Sequence, residues 1–359
     1  QQLPESTFWF LPETSTPDPL TETTLTLSVT AFLSYLGIQW WASWYPGQEP
    51  GGGGYLAQRM LSTRNERHSV LATLWFTLAH YCIRPWPWIL TGLASLILYP
   101  DIVDQEAGYA MIVRDHLPVG WRGLVLGGFA AAFMSTMSTQ LNWGTSYLIH
   151  DVYELFLHPG ADEAHYVRVA RLLTVAIMVL SAFVTLYLET VRQAWEFILE
   201  SGAGIGLVLI LRWYWWRVNA WSEIVAMIAP FIGLVWLSRF TSIVFPESLL
   251  FLVVWTTACW LLATWLTPPE PEEKLIDFFT RVQPGGPGWT RVAITAGKIP
   301  PSRIRHQLLN WIIGVALIYG TLFGIGKLLL SDHLAALAFT ALALICGLDF
   351  FRRLSQAGG

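Results

Sequence analysis

Nine runs of about 20 apolar residues, each long enough to cross a bilayer core, alternate with short polar segments along this chain. They lie at about residues 25–45, 68–98, 120–150, 167–188, 193–216, 220–238, 247–267, 306–327 and 333–350. The second and third exceed the length required, so they are expected to tilt, kink or project beyond the membrane. Pro85 and Pro87, in the run Arg84–Trp88, predict a kink in the second. Residues 1–24, rich in Pro, Thr and acid, read as an extracytoplasmic loop, and residues 268–305 as a cytoplasmic linker too short to hold a core of its own. The predicted organisation is all-α, a polytopic transmembrane helical bundle. It has five core spans over 25–220, two more over 220–267, then the linker, then two C-terminal spans and a basic tail over 306–359.

The third run carries a second pattern. At about 100° per residue, Ala132, Ser135, Thr136, Thr139 and Ser146 fall on one side of a helix over Trp121–His150. An oil-facing surface has no use for hydroxyls, so this side is expected to line protein or water. Ala132, Ser135 and Thr136 stand at i, i+3 and i+4, which lets two hydroxyls and one backbone carbonyl converge on a point. Hard oxygen donors of this kind suit a sodium ion. The same small and hydroxyl residues also permit close helix packing, and spacing leaves both readings open.

The first run ends abnormally. Gln39-Trp40-Trp41-Ala42-Ser43-Trp44-Tyr45 leads into Pro46-Gly47-Gln48-Glu49-Pro50 and four further glycines, which cannot continue a helix. At membrane depth such a break is tolerated only against protein or a water-filled cavity. The aromatic faces of Trp41, Trp44 and Tyr45, followed by Gln48 and Glu49, suit a small polar organic solute. An interfacial loop closing a complete span fits the same residues.

Ionisable groups at membrane depth are functional candidates by default, here Glu49, His80 and Arg84. Arg84 lies beside Trp86 and Trp88, where stacking or snorkelling would account for it. Arg192, Glu196 and Glu200, at i, i+4 and i+8, read as a partly exposed ion-pair ladder. Gly320-x-x-x-Gly324 in the eighth run is a packing signal. The chain carries no Gly-rich phosphate loop, HExxH, CxxC pair or GxSxG elbow, so no soluble-type active site is written into it.

Composition makes the membrane assignment firmer. Only 13% of residues are charged, against about 25% in soluble domains, so much of the surface faces lipid. Several of the 20 tryptophans, including Trp121, Trp213, Trp215, Trp216 and Trp221, stand near span ends, where indoles settle at headgroup depth. The net charge of −4 gives no hint of nucleic acid. Cys82, Cys259 and Cys346 lie within apolar runs without metal-ligand spacing and read as packing residues. With nine crossings and the N-terminus outside, fifteen of the 21 Lys and Arg fall in loops on one face and five on the other. The positive-inside rule then places the C-terminus in the cytoplasm of a multi-pass protein of the plasma or inner membrane. A start at Gln1, with no signal sequence ahead of the first run, suggests a piece of a longer protein.

Ala131–Tyr153, AAFMSTMSTQLNWGTSYLIHDVY, resembles the eighth core helix of the sodium:solute symporter family, the relatives of sodium–glucose and sodium–proline cotransporters. That helix reads small-small-x-x-Ser-Ser/Thr, Leu-Asn, a hydroxyl pair and Asp-x-Tyr. Here Ser135-Thr136, Leu141-Asn142, Thr145-Ser146 and Asp151-Val152-Tyr153 fill the places. Tyr55-x-x-Gln58-Arg59-x-Leu61 resembles the end of the family's sixth, broken helix, and Phe197–Asn219, with its Gly-x-Gly and Trp-Arg exit, is similar to the tenth. The resemblance implies sodium bound by the hydroxyls of Ser135 and Thr136 and the carbonyl of Ala132. It also implies a solute site that includes Trp195, where sugar transporters have a glutamine. Their lysine in the seventh helix aligns with Phe76-Thr77, which argues against simple sugar specificity.

The fold so implied is a LeuT-like (APC-type) inverted repeat, of which this chain holds the second repeat plus C-terminal helices only. Ion and solute sit at the junction of the two repeats, so the missing N-terminal half of the same protein is an expected partner, beside the lipid bilayer. The expected function is sodium-coupled symport of a small polar organic solute by alternating access, with no catalysis, in a chain inactive alone. Two rivals are a membrane-embedded transferase using His80 or Glu49 and the membrane domain of a transporter-like sensor.

Overall fold

The computed structural model describes residues 29–42, 60–188, 190–298 and 304–357. Apart from one isolated bridge between Trp215 and Gly288, every regular element among the described residues is helical. The expectations for residues 1–24, for Trp44, Tyr45, Gln48 and Glu49 with their glycine tract, and for Tyr55–Arg59 lie outside the described residues. The chain divides into two units, residues 91–195 and residues 1–90 with 196–359.

Six helices are long and apolar enough to cross a bilayer, seven if one bent pair is counted as a span. Those seven answer to seven of the nine runs. Of the remaining two, the first is described as α1 (Val29–Ser34), a π-helical turn (Tyr35–Gln39) and the short helix Trp40–Ala42. The second is α2 (Glu66–Thr77), a π-helical turn (Leu78–Ile83) and α3 (Pro85–Leu98). Regular helix fails where Pro85 was expected to disturb it. Pro85 becomes the first residue of α3, the one helical position where a missing N–H is harmless.

In the smaller unit, α4 (Gly108–His116) leads into α5 (Val119–Tyr147), which continues as a π-helix through Leu157 and folds back as α6 (Glu163–Thr185). The 18-residue apolar window of α5 has none of its residues buried. The α5–α6 hairpin is joined by hydroxyls, Thr145 Oγ1 lying 3.0 Å from Thr174 Oγ1, and Gly144 faces Ile177. Outside the spans, Arg114 donates to Asp115 at 2.6 Å and the Tyr99 hydroxyl at 2.8 Å. The guanidinium first, then the phenol, holds the Asp115 carboxyl down to about 2. This contact is complete above the ordinary aspartate range and is lost only as pH falls through that lower value.

The larger unit is built from hairpins. Helices α9 (Ala220–Phe240) and α10 (Glu247–Leu266) pack through Gly233, which seats Leu252 and Trp255, and through a buried Ser222–Thr264 hydroxyl pair at 2.7 Å. Asn219 caps α9 in a reciprocal capping box with Ser222 and donates to Thr267 and Pro268. Helices α13 (Ile304–Leu329) and α14 (His333–Ala357) meet through the predicted small-residue motif. A Cβ on Gly320 would stand 3.1 Å from Phe339 O and Ala343 N, and one on Gly324 would stand 2.9 Å from Thr340 Oγ1. Gly320→Leu must therefore push backbone from backbone. We expect a loss of about 1–3 kcal/mol, read as a lowered melting temperature in detergent, with Gly314→Leu, whose Cβ meets nothing within 4 Å, as the neutral control. Cys82, fully buried, donates its thiol to Ile318 O on α13, the packing role expected for it.

The sequence reads residues 268–298 as part of a linker. They form a folded cap, α11 (Glu272–Val282) and α12 (Thr290–Thr295), around Leu275, Phe279, Trp289, Val292 and Ala293. The segment is too short to close that cluster alone. It succeeds by borrowing Trp216 from the adjoining span exit, which packs against the cluster.

Candidate functional site

Serine and threonine hydroxyls in the spans mostly return to the carbonyl one turn earlier. Thr73, Thr77, Thr174, Ser181, Thr185, Thr264 and Thr321 all do so. This is the cheapest satisfaction available to a hydroxyl in hydrocarbon. On the α5 stripe the pattern divides. Thr139 donates to Ser135 O at 2.8 Å, whereas Ser135 and Thr136, like Ser138 and Ser146, have no partner among the described residues. Ala132, Ser135 and Thr136 are all exposed on the surface of their unit.

Along an uninterrupted α-helix the Ala132 carbonyl points toward residues 135 and 136, and it keeps one lone pair beyond its helix bond. Ser135 and Thr136 stand one turn on from that carbonyl. Three oxygens from one helix fall short of the about six that hard cations take.

The fifth predicted run is not one straight span. Helix α7 (Val191–Ser201) and α8 (Ile205–Leu211) bend by 41° across Gly202–Gly204. Gly204 adopts φ +88, a left-handed value that a side chain would strain. The end of the first span enters this break, with the Gly204 N–H donating to Ala42 O at 3.2 Å. Gly206 lies so close that an added Cβ would stand 1.7 Å from Trp41 O. Ala42, Ala203, Leu237, Leu249, Leu252 and Val253 close over the contact as a buried cluster. The break was legible in Gly-Ala-Gly-Ile-Gly (202–206), since each glycine costs a helix about 1 kcal/mol. Sequence reasoning used those glycines as a likeness and missed the bend.

Of the proposed solute contacts, Trp41 turns its indole back to Gly37 O at 2.7 Å. Trp195 is about half exposed on α7, and the other four lie outside the described residues. Glu200 departs from the expected ladder by accepting the Ser248 hydroxyl on α10. His80 stacks on Phe76 and receives Arg84 Nη1 at Nδ1, 3.1 Å away, so that nitrogen has no proton to give. Arg84 thus has a partner one turn back on its own span.

A family model, described as the sodium:solute symporter family, matches residues 52–230. That stretch contains the α5 ridge, Trp195 and the glycine break. The chain belongs to the sodium:solute symporter family. It is 24% identical over 158 residues to a sodium/glucose cotransporter of Vibrio parahaemolyticus, covering 42% of this chain and 29% of the relative. It is 32% identical over 111 residues to the osmoregulated proline transporter of Bacillus subtilis, covering 30% and 22%. Against a sodium/glucose cotransporter of Danio rerio it is 24% identical over 210 residues, covering 50% and 31%. The chain thus spans less than a third of the length of these relatives. No solved structure gives a significant match. The relatives are transporters, and symporter membership replaces the transferase reading on His80 and Glu49.

Proposed function

We propose that this chain provides the ion-binding side of a sodium-coupled symporter for a small polar organic solute. Sodium binds at Ala132, Ser135 and Thr136, and the remaining oxygens come from a second lobe, the N-terminal half of the same inverted-repeat fold. The observation that carries the reading is the bare hydroxyl pair on α5. An unsatisfied hydroxyl in hydrocarbon costs free energy that back-bonding would remove. Thr139, one turn on, takes that route, while these two do not.

In this mechanism sodium binding stabilises the outward-open form. The solute then enters near Trp41, Trp44, Tyr45, Gln48, Glu49 and Trp195, and closure of the outer path follows. The membrane potential contributes about 2.3 kcal/mol per sodium per 100 mV. The relatives' names include glucose, proline and myo-inositol, which makes these the first solutes to try.

The test is uptake of the three labelled solutes into proteoliposomes under an inward sodium gradient, with potassium as control. Two forms are compared: the protein expressed with whatever its gene encodes upstream of Gln1, and the 359 residues alone. Sodium-driven uptake by the first form and none by the second is the expected result. Uptake by the isolated chain would remove the need for a second lobe; uptake indifferent to sodium would remove the coupling.

A further inference from the structure

The exit of α8 carries a second site that the transport reading does not use. Trp215, Trp216, Arg217, Trp265, Pro269 and Arg291 line a recess of about 370 Å³. Three segments build it: the turn after α8, the end of α10 and the start of α12. The cap is strapped to the span exit at Gly288, where a Cβ would stand 2.0 Å from Tyr214 O. The Trp216 N–H donates to Gly288 O at 3.4 Å across the same strap. This closure, joining residues more than 70 positions apart, is what brings the two arginines to one recess.

Among the described residues neither guanidinium group pairs with an acid. Arg217 donates Nη2 to Thr267 O at 3.0 Å, while its Nη1 is covered and has no acceptor among the described residues. Arg291 is exposed and lies over the Trp216 ring, 4.7 Å from its centroid. No carboxylate lines the recess. Glu223 pairs with Arg212 and Glu270 with Lys274. Two unpaired guanidiniums beside indoles at a span end make a distinctive chemistry. Arginine takes phosphate oxygens through paired N–H groups while its flat face rests on tryptophan, and tryptophans cluster at headgroup depth.

We propose that this recess binds the phosphate of one anionic phospholipid. In the orientation expected from the positive-inside rule, this end of α8 and α10 meets the anionic leaflet of a cell membrane. Acyl chains would lie along the apolar flank of α10 below Trp265, which is itself exposed. The inference needs only that the chain is membrane-embedded, not that it couples sodium to a solute.

The experiment is native mass spectrometry of the full chain in mild detergent, titrated with phosphatidylglycerol or phosphatidylcholine. The expected result is one retained phosphatidylglycerol per chain, bound about tenfold tighter than phosphatidylcholine, as fits two basic contacts to an anionic headgroup. Arg291→Gln and Arg217→Gln each reduce that preference, and Arg281→Gln, an exposed cap residue paired with Asp277, does not. Arg291 is exposed over Trp216, so its variant keeps the test open if Arg217→Gln fails to fold. Absence of the preference, or its persistence in Arg291→Gln, would overturn the proposal. Displacement of the lipid by millimolar inorganic phosphate would also overturn it, by assigning the recess to a soluble anion.

Discussion

Replacing Ser135 and Thr136 together by alanine is expected to raise the sodium concentration for half-maximal uptake by at least about tenfold, the equivalent of about 1.4 kcal/mol. At saturating sodium the apparent affinity for solute should change little. The asymmetry follows from what these groups touch. Neither hydroxyl has a hydrogen-bond partner among the described residues, and both residues are exposed on their unit. Removing them should therefore alter stability by no more than about 0.5 kcal/mol, and alanine is the better helix former. What is lost is two hydroxyl oxygens one turn from the Ala132 carbonyl. Thr139→Ala serves as the control, because its hydroxyl is already committed to Ser135 O. Thr136→Ser, which keeps the oxygen, should retain most of the sodium response. The measurement is sodium-activated uptake by the protein with its upstream sequence. Unchanged activation in the double variant would end the assignment of the ion to this ridge.

The helical architecture and the ridge could be read from the chain because each is written in a short range. Apolar runs of span length mark the helices, and an i, i+3, i+4 spacing marks the ridge. The second class of features arises between distant residues. Arg217 and Arg291 share a recess only because Gly288 lets the cap close on the turn after α8. The cap itself, read as a linker, acquires a core by taking Trp216 from outside its own sequence. Local pattern could not show either pairing. The bend at Gly202–Gly204 belongs to a third class: its residues were visible, but glycine marks a packing site as readily as a break. What decides between them is the approach of Trp41 and Ala42 to the gap, a contact between segments more than 160 residues apart.

That approach yields the largest expected stability effect in the chain, from the smallest substitution. In Gly206→Ala the new Cβ would stand 1.7 Å from Trp41 O, 2.8 Å from Trp41 C and 3.0 Å from Ala42 O. These are backbone atoms, and they cannot rotate away as a side chain would. The first span must retreat, opening the cluster of Ala42, Ala203, Leu237, Leu249, Leu252 and Val253 and stretching the bond from the Gly204 N–H to Ala42 O. Ordinary overpacking costs about 1–3 kcal/mol; here the obstacle is rigid on both sides, so the loss should reach the top of that range or exceed it. The readout is the melting temperature of detergent-solubilised protein, together with the monodisperse fraction on size-exclusion chromatography. Gly92→Ala, where the added Cβ meets nothing within 4 Å in the middle of α3, should instead leave stability unchanged or raise it by about 0.5–1 kcal/mol. Equal tolerance of the two alanines would mean that the first span does not seat in the break.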